Sequence, residues 1–239
     1  MSDQMKLEHK KLNVLIPMAG NGQRFKDAGY KKPKPFIDVN GQKMIEVVMD
    51  TITPASYNKI ILISIRNHSA KEELKNYGKN LEIIEIDNTT EGALQTVLLA
   101  EDHIKDRPLL LCNCDQKTNF DVDLFIKKAE GYDGSVVTFT ANNPHHSYVT
   151  VTDNAIDNII EKEVISNKAV TGVYFFQNGS DLVDAAKSVI KFNKKEKGEF
   201  YVSSALQLMI YKGLRLTTFD AESIMLGTPE ELERYLNTL

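Results

Sequence analysis

Apolar residues along this chain fall into two repeating patterns. Residues 12–17 read Leu-Asn-Val-Leu-Ile-Pro, a short aliphatic run ended by proline, which is typical of a buried strand. Residues 42–52 instead space their apolar side chains three and four positions apart, as one face of a helix does, and Pro54 follows them. These patterns predict strands at 12–17, 60–65, 81–86, 109–114, 135–141, 148–151, 155–161, 169–177 and 214–219. They predict helices at 42–52, from 69–72, in the latter half of 89–100, and at 122–129, 181–192, 201–211 and 229–236.

The order of these elements predicts the fold class. Strands and helices alternate up to Asp115, which indicates βαβ units and a mostly parallel sheet covered on both faces. Beyond Asp115 the strands follow one another more closely, and Asp153-Asn154 is a hairpin-turn signal. Since the chain has no internal repeat and no linker segment, we expect one α/β domain over residues 1–239. It should be a three-layer α/β/α, Rossmann-like mixed sheet with a small antiparallel extension.

Composition excludes several classes of protein. The chain has 239 residues, 42% of them hydrophobic, which is enough for one large domain or two small ones with a full core. Glycine and proline are near average usage, so collagen-like and low-complexity classes are excluded. No apolar run exceeds four residues, whereas a membrane helix needs about 20. No membrane partner is expected.

The start of the chain and its cysteines bear on the compartment. Met1 to Lys11 lacks the apolar segment of a secretory signal. Cys112 and Cys114 alternate along a predicted strand, so they should point to opposite faces and remain reduced thiols. Both observations predict a cytoplasmic protein. The sequence leaves a homo-oligomer open.

The distribution of charge points to a small anionic partner. The net charge of −4 argues against a nucleic-acid partner. Residues 24–34 nevertheless carry five basic side chains against Asp27 alone, which indicates that a small anion binds there. A second basic run at 191–197 is interpreted as a solvated loop, with a rim that steers anionic substrate as the alternative.

The turn after the first strand has the composition of a phosphate site. Gly20 and Gly22 flank one residue, and such glycines let backbone N–H groups turn inward toward phosphate oxygens. The Arg24 guanidinium adds a fork that matches phosphate geometry. A dinucleotide-binding fingerprint is excluded because it would need glycine where Phe25 stands, and no P-loop motif occurs in the chain. A tight strand-to-helix turn with solvated lysines remains the alternative.

Longer motifs carry a family resemblance. Residues 17–25 read Pro-Met-Ala-Gly-Asn-Gly-Gln-Arg-Phe, residues 33–36 read Pro-Lys-Pro-Phe, and Asp115 follows the fourth strand. The further motifs are Thr-Glu-Gly-Ala at 90–93, Glu-Lys at 161–162, Thr-Gly-Val-Tyr-Phe-Phe at 171–176, Gly-Glu-Phe-Tyr at 198–201 and Gly-Thr-Pro-Glu-Glu-Leu at 227–232. In this order the motifs resemble the sugar-phosphate nucleotidyltransferase family, the sugar-nucleotide pyrophosphorylases. The likeness covers most of the chain and implies the family's nucleotide-diphospho-sugar transferase-like fold.

The resemblance implies a role for individual residues. Arg24, Lys34 and Asp115 would be catalytic: Arg24 holds the outer phosphates, Lys34 neutralises charge at the reacting phosphorus, and Asp115 holds a Mg²⁺ cofactor. The nucleotide-binding half, about 10–120, would use Met18, Ala19, Gly20, Asn21, Gly22, Glu91 and Gly92. In that half, Gly92 would let a base approach the backbone closely. The acceptor-binding half, about 121–239, would use Glu161 on an acceptor hydroxyl, Lys162 on its phosphate, and Gly172.

One position departs from the family pattern. Members of the family commonly place a second metal-binding aspartate two residues before the glycine of Gly-Thr, where this chain has Met225. Asp220 or Glu222 could substitute for that aspartate, or water and phosphate oxygens could complete the coordination shell.

The resemblance implies an enzyme that joins a nucleoside monophosphate to a phosphorylated small molecule, such as a sugar 1-phosphate, and releases pyrophosphate. The short chain is most similar in appearance to the cytidylyltransferases of surface-polysaccharide gene clusters, so CTP is the expected triphosphate, and capsule polysaccharide biosynthesis the expected setting. Two alternatives stay open. One is a glycosyltransferase of the same fold, and the other is a non-catalytic nucleotide-binding relative, which Met225 would explain.

Overall fold

A central sheet is built around β1 (Asn13–Pro17), the aliphatic run that comes first in the sequence. The computed structural model describes residues 11–78 and 80–239. The other strands are β2 (Asp38–Val39), β3 (Gln42–Lys43), β4 (Lys59–Ile65), β5 (Leu81–Ile86), β6 (Leu109–Cys112), β7 (Gln116–Asn119), β8 (Gly134–Thr140), β9 (Ser147–Thr152), β10 (Ala155–Glu161), β11 (Lys168–Phe176), β12 (Leu216–Asp220) and β13 (Glu222–Met225). The helices are α1 (Gln23–Asp27), α2 (Met44–Ile52), α3 (Ala70–Glu73), α4 (Ala93–Leu98), α5 (Glu101–Ile104), α6 (Val122–Lys128), α7 (Gly179–Lys191), α8 (Val202–Tyr211) and α9 (Pro229–Leu236). Short 3₁₀ turns lie at Lys34–Phe36 and Arg66–His68.

Strands from both halves of the chain join this central sheet. β1 pairs in parallel with β4 and with β6, and β5 continues the parallel part beyond β4. β6 pairs antiparallel with β11, which also pairs antiparallel with β8 and β9. β10 pairs antiparallel with β9, and β12 lies parallel to β8. The predicted mixed sheet is confirmed, and the strands that precede Asp115 pair in parallel as predicted. The antiparallel region is larger than the small extension expected, because β8 to β11 all take part in antiparallel pairs.

Alternate residues of β1 face opposite sides of the sheet, as the two-residue period of a strand requires. Leu15 belongs to one buried cluster, which includes side chains of α4, α7 and α8. Val14 and Ile16 belong to a second buried cluster, together with Val48 of α2 and Phe125 of α6. Helices therefore cover both faces, which confirms the three-layer α/β/α architecture.

A third buried cluster attaches the carboxyl-terminal helix to the glycine turn. Phe25 of α1 packs with Leu226 and with Leu232 of α9 in this cluster. α9 begins with a capping box, in which Thr228 and Glu231 each bond the other's backbone N–H. The motif at 227–232 is thereby brought beside the segment that follows β1.

Several predicted elements match the structure closely. The segments 81–86, 155–161 and 229–236 coincide with β5, β10 and α9. The hairpin between β9 and β10 is confirmed: Asp153 and Asn154 have φ values of 49° and 64°, and a type I′ turn requires positive φ at both positions.

The strand predicted at 109–114 is too long. β6 ends at Cys112, so Cys112 and Cys114 do not alternate along one strand, and the reason given for keeping them apart is wrong. Both cysteines are free thiols all the same. The expectation about the start of the chain falls on residues 1–10, which lie outside the described residues. No helix in the part of the chain that the structure describes is both long and apolar enough to cross a membrane.

Candidate active site

Two adjoining cavities open where β1 and β6 end. The loop cavity, about 560 Å³, is lined by the turn after β1 and by residues 89–93. The strand cavity, also about 560 Å³, is lined by parts of β10 and β11, the start of α8 and part of 225–231. Lys34, Ala93, Asn113 and Asp115 line both cavities, so the two form one cleft. The carboxyl ends of parallel strands are the usual ligand position in open α/β sheets.

The residues singled out from the sequence divide between the two cavities. The loop cavity is lined by Met18, Ala19, Gly20, Asn21, Gly22, Glu91 and Gly92. The strand cavity is lined by Arg24, Glu161, Lys162 and Gly172, and the shared wall contains Lys34 and Asp115. Arg24, which was expected on the triphosphate, lines the strand cavity instead of the loop cavity.

Lys34 and Asp115 form an ion pair at the junction of the cavities. Lys34 lies in the 3₁₀ turn of the Pro-Lys-Pro-Phe motif, and its Nζ is 2.5 Å from Asp115 Oδ2 and 3.4 Å from the carbonyl oxygen of Gly227. Burial acts to lower the pKa of Lys34, but the Asp115 carboxylate outweighs it, so the pKa lies above its usual value. Burial and Asp115 raise the pKa of the adjacent Cys114 thiol to about 12, which keeps that thiol neutral. The junction therefore holds one ammonium and one carboxylate.

The Asp115 carboxylate suits a Mg²⁺ ion that is shared with a substrate. Its side chain is 26% exposed, and it faces both cavities. Mg²⁺ is commonly held by one or two carboxylates, with water and substrate phosphates in the other positions. Among the described residues, no three His, Cys, Asp or Glu side chains converge as a complete metal site. A metal at Asp115 would accordingly take most of its ligands from substrate and water.

Neither substitute suggested for the missing second carboxylate lies in this cleft. Asp220 pairs with Lys168 at 2.6 Å and accepts a hydrogen bond from Thr138. Both Asp220 and Glu222 line a different cavity, beside Phe139 and Thr140 of β8. Met225 itself lines the strand cavity. The suggestion that Asp220 or Glu222 replaces the carboxylate is therefore wrong for the structure described.

Three glycines line the loop cavity, and each has a different structural environment. A Cβ on Gly20 would meet nothing within 4 Å, so packing does not require glycine there and the space is open. Gly22 has φ +60° at the start of α1, a conformation that side chains rarely adopt. Gly92 has φ +138°, and its Cβ would lie 2.5 Å from the backbone N and O of Phe200. Packing against Phe200 therefore requires glycine here, and the expectation that Gly92 also makes room for a base in the loop cavity stays a prediction.

Glu161 is held at the end of β10 by two serine hydroxyls. Its Oε2 accepts hydrogen bonds from Ser203 Oγ at 2.7 Å and from Ser147 Oγ. The Glu161 side chain also belongs to the lining of the strand cavity. Sequence analysis missed both serines because neither stands in a motif; only the fold brings β9 and α8 beside β10.

Lys162 follows Glu161 in a strained conformation, with φ 54°. Its Nζ donates a hydrogen bond to the hydroxyl of Tyr201 and lies 4.4 Å from the centre of that ring. Tyr201 stands in the Gly-Glu-Phe-Tyr motif, but the sequence provided no signal that it touches Lys162.

Gly172 lies against Asn113, which belongs to the wall that both cavities share. It has φ +97° at an irregularity in the pairing of β11 with β8, and a Cβ there would overlap the side-chain amide of Asn113. The carbonyl oxygen of Gly172 also accepts a 2.9 Å hydrogen bond from Asn113 N. Glycine at this position therefore lets Asn113 line both cavities.

One lysine of the basic run at 191–197 pairs with a residue of the loop cavity. Lys195 Nζ lies 2.6 Å from Glu91 Oε1, and Glu91 lines that cavity. Lys195 is thus partly buried and paired, whereas Lys191, Lys194 and Lys197 are exposed, as expected of a solvated segment.

Comparison with known proteins relates this cleft to one family. The model of the family described as nucleotidyl transferase matches residues 13–232. The bifunctional protein GlmU of Methanocaldococcus jannaschii is 26% identical over 220 residues, which are 87% of this chain and 50% of that protein. The mannose-1-phosphate guanyltransferase of Saccharomyces cerevisiae is 24% identical over 245 residues, which are 94% of this chain and 65% of that protein. The chain thus spans about half the length of the GlmU relative.

A solved structure supports the fold. The nucleoside-diphosphate-sugar pyrophosphorylase of Vibrio cholerae RC9 superposes with a TM-score of 0.78. It is 24% identical in sequence, and the match covers 94% of this chain and 99% of that one. At this identity the likeness establishes the shared α/β architecture.

Proposed function

Since the chain belongs to the nucleotidyl transferase family, we propose that it joins a nucleoside monophosphate from a nucleoside triphosphate to a phosphorylated small molecule and releases pyrophosphate. The triphosphate occupies the loop cavity and the phosphorylated acceptor occupies the strand cavity. This division follows the distribution of the residues that resemble the family's nucleotide and acceptor motifs.

The observation that carries the proposal is the Lys34–Asp115 pair at the junction. These residues line both cavities, so groups bound in the two cavities would meet beside one ammonium and one carboxylate. A glycosyltransferase would hold an already formed sugar nucleotide and would not need a lysine on the path of the reacting phosphorus. The pair therefore favours transfer at phosphorus.

In the proposed reaction, a phosphate oxygen of the acceptor attacks the α-phosphorus of the triphosphate. A new phosphorus–oxygen bond forms to the acceptor, and the bond between the α-phosphorus and the bridging β-oxygen breaks, so that pyrophosphate leaves. Lys34 stabilises the charge that accumulates at the α-phosphoryl group, as a fixed donor does in an electrostatic site. Lys162 binds the acceptor phosphate, and Glu161 accepts a hydrogen bond from an acceptor hydroxyl through Oε1.

Asp115 is the residue proposed to hold Mg²⁺. When bound, the ion would supply positive charge to the triphosphate oxygens. Met225 leaves the rest of the shell to phosphate and water oxygens. Arg24, which lines the strand cavity, is proposed to stabilise the phosphates where the two substrates meet.

A screen of triphosphates against phosphorylated acceptors would identify both substrates. CTP is proposed from the sequence resemblance alone, and the yeast relative is named for a guanyl donor and mannose 1-phosphate. Purified chain with Mg²⁺ is incubated with CTP, UTP, GTP, ATP or dTTP and with mannose 1-phosphate, glucose 1-phosphate, an alditol phosphate or a phosphorylated amino-acid amide. Released pyrophosphate is measured, with Asp115→Asn as the matched inactive control.

The screen also tests the non-catalytic alternative, which Met225 favours. Pyrophosphate released only in the presence of both substrates supports a nucleotidyltransferase. Saturable binding of a triphosphate with no pyrophosphate from any pair would contradict the proposed activity and would support a nucleotide-binding protein.

A further inference from the structure

Tyr201 stands at the start of α8 and lines the strand cavity. It precedes the first helical residue, yet its side chain makes no capping bond to the helix. Its hydroxyl instead accepts a hydrogen bond from Lys162 Nζ, which also lies 4.4 Å from the ring centre. The tyrosine thus contacts the Lys162 ammonium through both its oxygen and its ring face.

The backbone of Lys162 is fixed as well. Its φ of 54° is in the left-handed region, which costs free energy for any residue with a side chain, and surrounding contacts must maintain it. Lys162 N donates a 3.0 Å hydrogen bond to the carbonyl oxygen of His146. A flexible side chain is therefore restrained at its backbone by His146 and at its charged end by Tyr201.

The backbone next to Tyr201 is hydrogen-bonded to the wall of the loop cavity. Its neighbour Phe200 donates a 2.9 Å hydrogen bond to the carbonyl oxygen of Glu91 and accepts one of 3.0 Å from Leu94 N. Gly92 allows this close approach. Burial raises the pKa of Tyr201, and Glu199 and Glu161 raise it further, so the Tyr201 hydroxyl stays neutral.

We propose that Tyr201 is a positioning residue that holds the Lys162 ammonium at the place where the acceptor phosphate binds. This inference rests on the proposed function, since it names a residue that prepares the acceptor site. A lysine held in advance loses less side-chain freedom when the phosphate binds, and that lowers the entropic cost of binding.

Two variants separate the hydroxyl from the ring. Tyr201→Phe keeps the ring over the ammonium and removes the acceptor oxygen, whereas Tyr201→Leu removes both. Because Lys162 binds the acceptor phosphate before and during transfer, the acceptor KM should rise about 5- to 10-fold in Tyr201→Phe and further in Tyr201→Leu. The kcat and the KM of the triphosphate should change by less than about twofold. Tyr211→Phe, at the exposed end of the same helix, is the matched control and should leave every constant unchanged.

A double-mutant cycle tests whether Tyr201 acts through Lys162. In a Lys162→Met background, Tyr201→Phe should no longer raise the acceptor KM, because the group that it positions is gone. An equal KM rise in both backgrounds would show a general structural role for Tyr201 and overturn the inference.

Failure of this inference is distinguishable from failure of the proposed function. If the wild type releases no pyrophosphate with any pair, the proposed function fails, and inorganic phosphate then serves as the probe. Its Kd, obtained from the concentration dependence of Tm, should be about 5- to 10-fold higher in Tyr201→Phe than in the wild type. It should be unchanged by Tyr201→Phe in the Lys162→Met background. Equal Kd values for the wild type and Tyr201→Phe would overturn the inference.

Discussion

Lys34 Nζ lies 2.5 Å from Asp115 Oδ2, although the two residues are 81 positions apart in the chain. Each follows a different strand, and the pairing of β1 with β6 brings the two segments together. Each residue of the pair neutralises the partly buried charge of the other. Either charge would cost free energy if it were buried without a partner. It also places the ammonium and the carboxylate in the one wall that both cavities share.

Removal of the Lys34 ammonium is expected to impair catalysis more than folding. Lys34→Ala should lower kcat about 10²- to 10³-fold, the range seen when one electrostatic donor to a transition state is lost. Pyrophosphate release under saturating substrates is the measurement. Lys32→Ala, an exposed lysine two residues earlier, is the matched control and should keep wild-type kcat. Near-wild-type turnover in Lys34→Ala would remove this lysine from the mechanism.

The same ion pair predicts a pH dependence of stability. Because the pKa of Lys34 is raised above 10.5 in the folded chain, the folded state binds this proton more tightly than the unfolded state. The stabilisation is fully present below the unfolded pKa and is lost as the pH rises through the folded pKa. The difference in unfolding free energy between the wild type and Lys34→Met should be constant from about pH 7 to 9 and should shrink above about pH 10.5.

Urea denaturation at each pH measures this difference. Lys32→Met removes an exposed lysine that makes no ion pair with another described residue, so it should show no pH-dependent difference from the wild type. A Lys34→Met difference that stays constant through pH 11 would contradict the raised pKa.

Local signals in the sequence were sufficient for much of the fold. The apolar patterns at 81–86 and 229–236 predicted β5 and α9 because strand and helix periodicity depend on neighbouring residues alone. The short pairs β2 with β3 and β7 with β13 were not predicted. Each strand in them has at most four residues, too few to show a period.

The candidate site was predictable only where its residues stand in contiguous motifs. Arg24, Lys34 and Asp115 each follow a strand signal, and all three line the cleft. The contact of Lys162 with Tyr201 spans 39 positions, and a motif carries no information about such a partner. The reason for Gly92 is likewise a backbone approach by Phe200, which only the tertiary fold reveals.

Two substitutions should distinguish a glycine that leaves space for a ligand from a glycine that is required by packing. Gly20→Ala should leave the free energy of unfolding within about 1 kcal/mol of the wild type, because its Cβ enters open space. It should raise the KM of the triphosphate at least about tenfold, since the methyl group occupies the loop cavity. Gly92→Ala should instead destabilise the chain by about 3 kcal/mol or more, because the Cβ collides with the Phe200 backbone at a positive φ.

Urea denaturation and triphosphate saturation curves measure both effects. Gly213→Ala is a suitable reference, since it has a positive φ but no neighbour within 4 Å and lies outside the cleft. Wild-type triphosphate KM in Gly20→Ala would contradict binding in the loop cavity.

Restoring a carboxylate at Met225 should strengthen metal binding. Met225 lies opposite Gln116 in the β13–β7 pairing, next to Asp115, and its side chain lines the strand cavity. Since affinity for hard cations rises with the number of carboxylate ligands, Met225→Asp should lower the Kd for Mn²⁺ about tenfold.

Electron paramagnetic resonance of free Mn²⁺ measures this Kd without turnover, with and without a non-hydrolysable triphosphate. Asp220→Asn should leave the Kd unchanged, because Asp220 is paired with Lys168 in another cavity. An unchanged Kd in Met225→Asp, together with wild-type Mn²⁺ binding in Asp115→Asn, would show that the metal binds elsewhere.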